Sequence, residues 1–215
     1  LSANVYTGFQ TVTKKLDVMN ADQWVGFMMD NYYAEGSAPD AVKNWQGGPG
    51  TNWQDEVFRT APVTKASVAV SGGAENSTYS VTGGYLNQKG VLRTTGYEAF
   101  NLHAKNTFSF FNNHLRMGSS IMMKFYNKDY DDFTVTDALR QNPIIPVYDP
   151  ENKVDGFGGI TNSGFKNMSN PLGYLYVNDY ERNGSDLLIN AWAEVDLFLE
   201  GLKYKINAGI NRSDY

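Results

Sequence analysis

Between Asp186 and Leu199 the chain alternates with a period of two. Leu187, Ile189, Ala191, Ala193, Val195, Leu197 and Leu199 fall on one side, and Asn190, Trp192, Glu194 and Asp196 on the other. Residues 202–211 repeat the pattern, with Leu202, Tyr204, Ile206, Ala208 and Ile210 against Lys203, Lys205, Asn207 and Asn211. Successive side chains of a β-strand point to opposite faces, so each segment is a strand with one apolar and one charged side. A wall of such strands suits lipid on one face and water on the other. The pattern predicts an all-β chain: an antiparallel transmembrane β-barrel segment of about seven strands, with short helices in long loops. Such a chain belongs to a pore or transporter, not to an enzyme.

Composition is compatible with that reading. The mean hydropathy is -0.44, and no run reaches the ~18 continuous apolar residues of a spanning helix. Alternation dilutes hydrophobicity in barrel strands, so a low mean does not exclude a membrane protein. Fourteen Tyr, 12 Phe and 21 Gly suit aromatic belts and tight turns. With no cysteine there is no disulfide and no thiolate metal site. A net charge of -5 argues against nucleic-acid binding. The sequence opens at Leu1 without a signal peptide, and both ends read as strands. The expectation is therefore a piece of a larger protein.

Seven strands are expected, over residues 5–12, 65–72, 78–86, 98–110, 115–126, 186–199 and 202–211. Asn112-Asn113 tolerates the positive φ of a two-residue hairpin turn. Opposed residue numbers then sum to about 225, so Phe110 meets Leu115, Phe108 meets Met117 and Ser109 meets Arg116. A second two-residue turn at Glu200-Gly201 would oppose Leu199 to Leu202, Leu197 to Tyr204 and Asp196 to Lys205. Asn20, with Gln23 as capping-box partner, opens a helix to about residue 33; Trp24, Phe27 and Met28 form its expected buried stripe. Shorter helices are expected over 53–59, stopped by Pro62, and over 137–141, capped by Thr136. The connections run long, short, medium, short, long, short, the asymmetry of an outer-membrane barrel. Loops 13–64 and 127–182 share one end.

Catalytic constellations are scarce. His103 and His114 stand alone, and His103 falls on the polar face. Glu194 and Asp196 invite acid–base chemistry, but their expected cross-strand neighbours, Asn207 and Lys205, read as an ion-pair ladder. Asp149, Glu151, Asn152 and Asp155 before Gly156 loosely resemble a calcium loop without the EF-hand spacing; an ordinary turn is the simpler reading. No cofactor and no metal site are expected. The polar-face residues Arg116, Lys124, Asn190, Glu194, Asp196, Lys203 and Lys205 are candidates to line a lumen. Aromatics in the long connections, chiefly Trp45, Trp53, Tyr130, Phe133, Tyr174 and Tyr176, are candidate ligand contacts, because aromatic faces stack on sugars and peptide side chains. Packing the loops against each other is the equal alternative.

The run Asn52-Trp53-Gln54-Asp55-Glu56-Val57-Phe58-Arg59-Thr60-Ala61-Pro62 resembles a segment of SusC/RagA-type TonB-dependent outer-membrane transporters of Bacteroidetes. It is followed at the family's spacing by Val70-Ser71-Gly72-Gly73, Tyr79, Gly84-Tyr85-Leu86-Asn87-Gln88 and Gly90. Gly8-Phe9-Gln10-Thr11-Val12 and Leu16-Asp17-Val18-Met19-Asn20-Ala21 look like the first barrel strand after the plug. Asn170-Pro171-Leu172 is a weaker match. The resemblance implies that residues 1–215 are a partial barrel domain of a plugged barrel of about 22 strands. It also implies import of oligosaccharides or peptides, energy relayed by TonB, a SusD-like surface lipoprotein as lid, and outer-membrane lipid around the barrel. The loop aromatics would then contact ligand or lid. No substrate-contacting residue carries over.

Two rivals remain at this stage. A soluble β-sandwich carbohydrate-binding module would turn the apolar faces into an internal core. A β-rich hydrolase would use Glu194 and Asp196.

Overall fold

A computed structural model describes residues 1–34, 36–159, 170–199 and 201–215. Seven strands form one antiparallel sheet in chain order: β1 (Ser2–Gln10), β2 (Ala61–Ala74), β3 (Ser77–Lys89), β4 (Gly96–Phe110), β5 (Leu115–Asp129), β6 (Glu181–Asp196) and β7 (Lys203–Asp214). Most run past the expected limits, β2 and β3 at both ends. The exceptions are the C-terminal ends of β1 and β6 and the start of β7: β6 stops at Asp196, so Leu197 and Leu199 lie outside the strand, and β7 begins at Lys203 rather than Leu202. No second sheet covers the apolar face among the described residues, which removes the core that a sandwich needs.

Side-chain parity holds across all six ladders. Val5 opposes Ala66, Ala66 opposes Tyr85, Tyr85 opposes Phe100, and Phe100 opposes Phe125. Ile121 opposes Ile189, which opposes Ile210. The apolar sets of seven strands thus merge into one face, and it is exposed: Phe100 at 51%, Phe125 at 56%, Ile210 at 64%. Charged side chains on that face (Lys89, Glu98, Asp129, Glu181, Arg212 and Asp214) all fall in the halves of the strands nearer the long connections. A contiguous apolar face of this size is a liability in water.

The β4–β5 register is the expected one, with Phe110 opposite Leu115 and Ser109 opposite Arg116. Asn112 and Asn113 take φ of 54° and 71° in the turn, as the Asn-Asn pair predicts. The β6–β7 register differs from expectation by two residues. Asp196 faces Lys203, Glu194 faces Lys205 and Val195 faces Tyr204. The turn is wider than two residues: Leu197 N–H donates to Leu202 O at 2.9 Å, while Leu202 N–H donates to Leu199 O at 3.0 Å inside the turn. Glu200, expected in the turn, lies outside the described residues. An even slip leaves every side chain on its original face.

The tight turns join β2–β3, β4–β5 and β6–β7 at one end of the sheet, and the longer connections gather at the other. Those connections carry α1 (Ala21–Asn31), α2 (Asp40–Lys43), α3 (Trp53–Val57), α4 (Thr134–Arg140) and α5 (Pro171–Val177). The capping box of α1 forms as expected, Gln23 N–H donating to Asn20 Oδ1 and Asn20 N–H to Gln23 Oε1. Its expected buried stripe forms only in part: Trp24 and Met28 are half-buried, Phe27 is 49% exposed, and Ala21 is the helix's one fully buried residue. Helix α4 starts earlier than Thr136. Asp131 holds its first turn, accepting from Thr134 N–H and Thr134 Oγ1. Helices α2 and α5 were unanticipated. In α5, Pro171 stands in the first turn, where its missing N–H costs nothing, behind the cap Asn170.

Candidate functional site

Two regions concentrate function-bearing side chains: the polar face of the sheet and the loop cluster above it. On the polar face, bulky side chains lie over glycines of the adjacent strand. A Cβ at Gly184 would sit 2.4 Å from the Tyr126 ring, and one at Gly84 2.7 Å from the Asn101 amide oxygen. A Cβ at Gly209 would come within 2.5 Å of Asn190 Oδ1. Removing the Cβ is what lets a large polar side chain lie against the sheet.

At the tight-turn end, the predicted lumen candidates form one ion network. Arg116 Nη2 donates to Glu194 Oε1 at 2.7 Å and to Asp196 Oδ1 at 2.9 Å. Lys203 approaches both carboxylates, at 3.9 and 3.8 Å, and Lys205 reaches Glu194 Oε2 at 3.9 Å while lying 4.8 Å from the Trp192 ring centroid. Glu194 therefore meets three cations, and Asp196 two. Carboxylates held this way are ion-pair partners, and an acid–base pair has no free member here. Asn190 shares the face without joining the network. Lys124, nearer the other end, pairs with Asp186 at 3.4 Å and covers the rings of Tyr126 and Tyr97, which stack at 5.9 Å.

The charge of this face is opposite to that of the chain. Its strand positions hold Lys65, Lys105, Arg116, Lys124, Lys128, Arg182, Lys203 and Lys205 against Asp186, Glu194 and Asp196. Eight cations face three carboxylates in a chain whose net charge is -5.

The loop cluster has the buried core that the sheet lacks. Trp53, Val57, Leu92, Ala138, Ile145 and Leu175 pack together, with Phe58 and Val147 beside them, drawing on all three longer connections. Trp53 is only 2% exposed, and its indole N–H donates to Asn142 O at 3.1 Å. Thr51 Oγ1 donates to Ile145 O. Arg59 donates to Gly90 O and Thr95 O, and Arg93 returns a bond to Glu56 O. Asn170 Nδ2 bridges Val147 O and Gly158 O. The Asn52–Pro62 run is thus the hub of the loops.

Among the aromatic candidates, Trp53 is corrected: buried in that hub, it presents no face to a ligand. Trp45 is half-buried, its indole N–H donating to Asp22 Oδ1 at 2.7 Å. Tyr130, Tyr180 and Tyr174 form a row, with centroids 5.9 and 6.4 Å apart and a 2.8 Å hydrogen bond between the Tyr174 and Tyr180 hydroxyls. That bond is the main cause of a Tyr174 pKa raised to about 12. Tyr176 stacks on Phe157, which stacks on Tyr148, and both outer rings are exposed, as is Phe133. Lys128 and Arg182, beside Tyr130, escaped the sequence reading; their signal was parity, had β5 and β6 been extended by two and four residues.

The suggested calcium loop is a set of Asx turns. Asp149 Oδ1 accepts from Glu151 N–H, Asn152 Oδ1 from Val154 N–H, and Asp155 Oδ1 from Phe157 N–H. No group of metal-binding side chains occurs among the described residues.

No family model matches the chain. It is 28% identical to the TonB-dependent receptor SusC of Bacteroides thetaiotaomicron over 97% of its own length and 22% of that protein's. It is 24% identical to the TonB-dependent receptor P3 of Formosa agariphila, over 98% of this chain and 21% of the relative. The chain therefore spans about a fifth of the length of these relatives. In fold it matches the RagAB peptide importer in its open-open and closed-closed states, each with a TM-score of 0.73, at 15% and 17% identity, over 98% of this chain and 27% of the solved one. Similarity along nearly the whole chain, and a sheet that follows a barrel wall, bear out the resemblance carried by Asn52–Pro62: the chain is similar to SusC and other TonB-dependent receptors, and it is folded like a segment of the RagAB barrel wall.

Proposed function

We propose that this chain forms part of the barrel wall of an outer-membrane active transporter that imports oligosaccharides or peptides. The observation that carries the reading is the two-sided sheet. Its continuous apolar face has a charge-free half, while the opposite face carries an ion network. Only a wall between lipid and water gives both faces a suitable solvent. The apolar side meets outer-membrane lipid. Arg116, Lys124, Asn190, Glu194, Asp196, Lys203 and Lys205 line the lumen or meet a plug inside it. Tight turns then face the periplasm and the loop cluster faces out, where Trp45, Tyr130, Phe133, Tyr174 and Tyr176 meet ligand or a SusD-like lipoprotein lid. TonB supplies the energy through parts of the protein beyond this chain. Residues 1–215 act as one partial barrel domain.

The test uses the intact protein in its own cells. Disrupting its gene should abolish uptake of one class of labelled oligosaccharide or peptide, and disrupting TonB should do the same. The protein should sediment with the outer membrane and need detergent for release. Unchanged uptake across both oligomer classes, or recovery of the protein in the soluble fraction, contradicts the proposal.

A further inference from the structure

At the long-connection end of the polar face, Lys128 and Arg182 are directly opposed across β5 and β6. Like charges opposed across a ladder repel and destabilise the sheet. Neither makes an ion pair among the described residues, and both are exposed. The carboxylates next to them point to the other face or are engaged elsewhere. Asp129 and Glu181 are opposed to each other on the other face, where Glu181 accepts from Asn127 and Asn183. Asp131 holds the first turn of α4, and Asp186 pairs with Lys124.

The two cations are nevertheless organised. Lys128 Nζ and Arg182 Cζ each lie 5.5 Å from the centroid of the same Tyr130 ring. That ring belongs to the Tyr130–Tyr180–Tyr174 row, so it is fixed from the loop side. Gly184 leaves room beneath for the Tyr126 ring. The result is an aromatic shelf carrying two uncompensated cations, one of them a guanidinium suited to planar oxyanions.

We propose that Lys128 and Arg182, opposed across β5–β6 and sharing the Tyr130 ring, form an oxyanion site that takes a carboxylate or sulfate group of the imported oligomer. The proposal rests on the transport reading above and narrows its substrate class. A bound oxyanion converts the like-charge repulsion into two attractive contacts, and the tyrosines give the rest of the ligand an apolar edge.

The test is calorimetric binding to the full-length receptor in detergent. The probes are tetragalacturonate, a tetraglutamyl peptide, sodium sulfate and a neutral maltotetraose. At least one anionic probe should bind the wild type more tightly than maltotetraose, with an affinity that falls as salt rises. In K128Q/R182Q that affinity should drop about tenfold, as expected for two exposed charge contacts, with a shallower salt dependence. The charge-preserving K128R should retain it. Which probe responds distinguishes uronate, acidic peptide and free sulfate as the source. Each single variant, K128Q or R182Q, should lose severalfold, which keeps the test open if the double variant fails to assemble. Equal affinity for all probes in the wild type, or unchanged anion affinity in the variants, overturns the site. Loss of the site leaves transport of neutral oligomers standing. Absence of any oligomer uptake defeats the transport reading instead.

Discussion

The Trp192 indole lies over Gly118 on the neighbouring strand, so that a Cβ at Gly118 would fall 2.6 Å from Trp192 Nε1 and 2.9 Å from the Asn106 carbonyl oxygen. The second neighbour is backbone and does not yield. Gly118→Ala should therefore destabilise the barrel by about 1–3 kcal/mol through overpacking, whereas Gly83→Ala, with open space at its Cβ, should not. The urea midpoint of the full-length receptor in detergent micelles checks this.

Trp53 is a structural hub rather than a ligand contact. Trp53→Ala removes a fully packed ring from the loop core and should cost the cluster about 3–5 kcal/mol. The strands do not depend on that core. The expected outcome is rapid protease nicking within residues 11–60 and 130–180, with the detergent-resistant barrel left intact.

The ion network at the tight-turn end should be cooperative. Arg116→Met leaves Glu194 and Asp196, both half-buried, with only the longer lysine contacts. A loss of about 1–3 kcal/mol is expected, between exposed and buried pairs. Adding Glu194→Gln should recover part of it, and a double-mutant cycle should show a coupling energy of about 1 kcal/mol.

The Tyr174–Tyr180 hydrogen bond gives the loops an alkaline limit. Tyr174 has its pKa raised to about 12 in the folded protein, chiefly by this bond, from 10.0 for an ordinary phenol. A raised folded pKa contributes stability that is fully present below the unfolded value, here ~10, and is lost as pH rises through about 12. Tyr180→Phe should return Tyr174 toward the ordinary phenol range. Tyrosinate absorbance on an alkaline titration reads the shift.

The faces of the sheet were legible because period-two alternation is local and survives an even error in register. The β6–β7 pairing shows this: the turn is wider than two residues, yet Lys205, expected opposite Asp196, still meets a carboxylate, that of Glu194, on the polar side. The β4–β5 register was legible to the residue because Asn112 and Asn113 both suit positive φ. Helix α5 was not, since Pro171 reads as a breaker unless Asn170 is recognised as its cap. The role of Trp53 was hidden for another reason. Its partners Leu92, Ile145 and Leu175 lie in other connections, and no local pattern links them. The same holds for Lys128 and Arg182, whose opposition depends on where two strands end.

On the proposed barrel wall Ile189 faces lipid while its neighbour Asn190 faces the lumen. Ile189 opposes Ile121 and Ile210, and Asn190 opposes Ser120 and Gly209. A lysine on the lipid face near the midplane costs about 2–4 kcal/mol, and one on the lumen face costs little. The direct measurement is the yield of heat-modifiable, folded full-length receptor in the outer membrane for Ile189→Lys and Asn190→Lys. A strong loss is expected for Ile189→Lys and near wild-type yield for Asn190→Lys. Equal yields, or the reverse order, would contradict that facing.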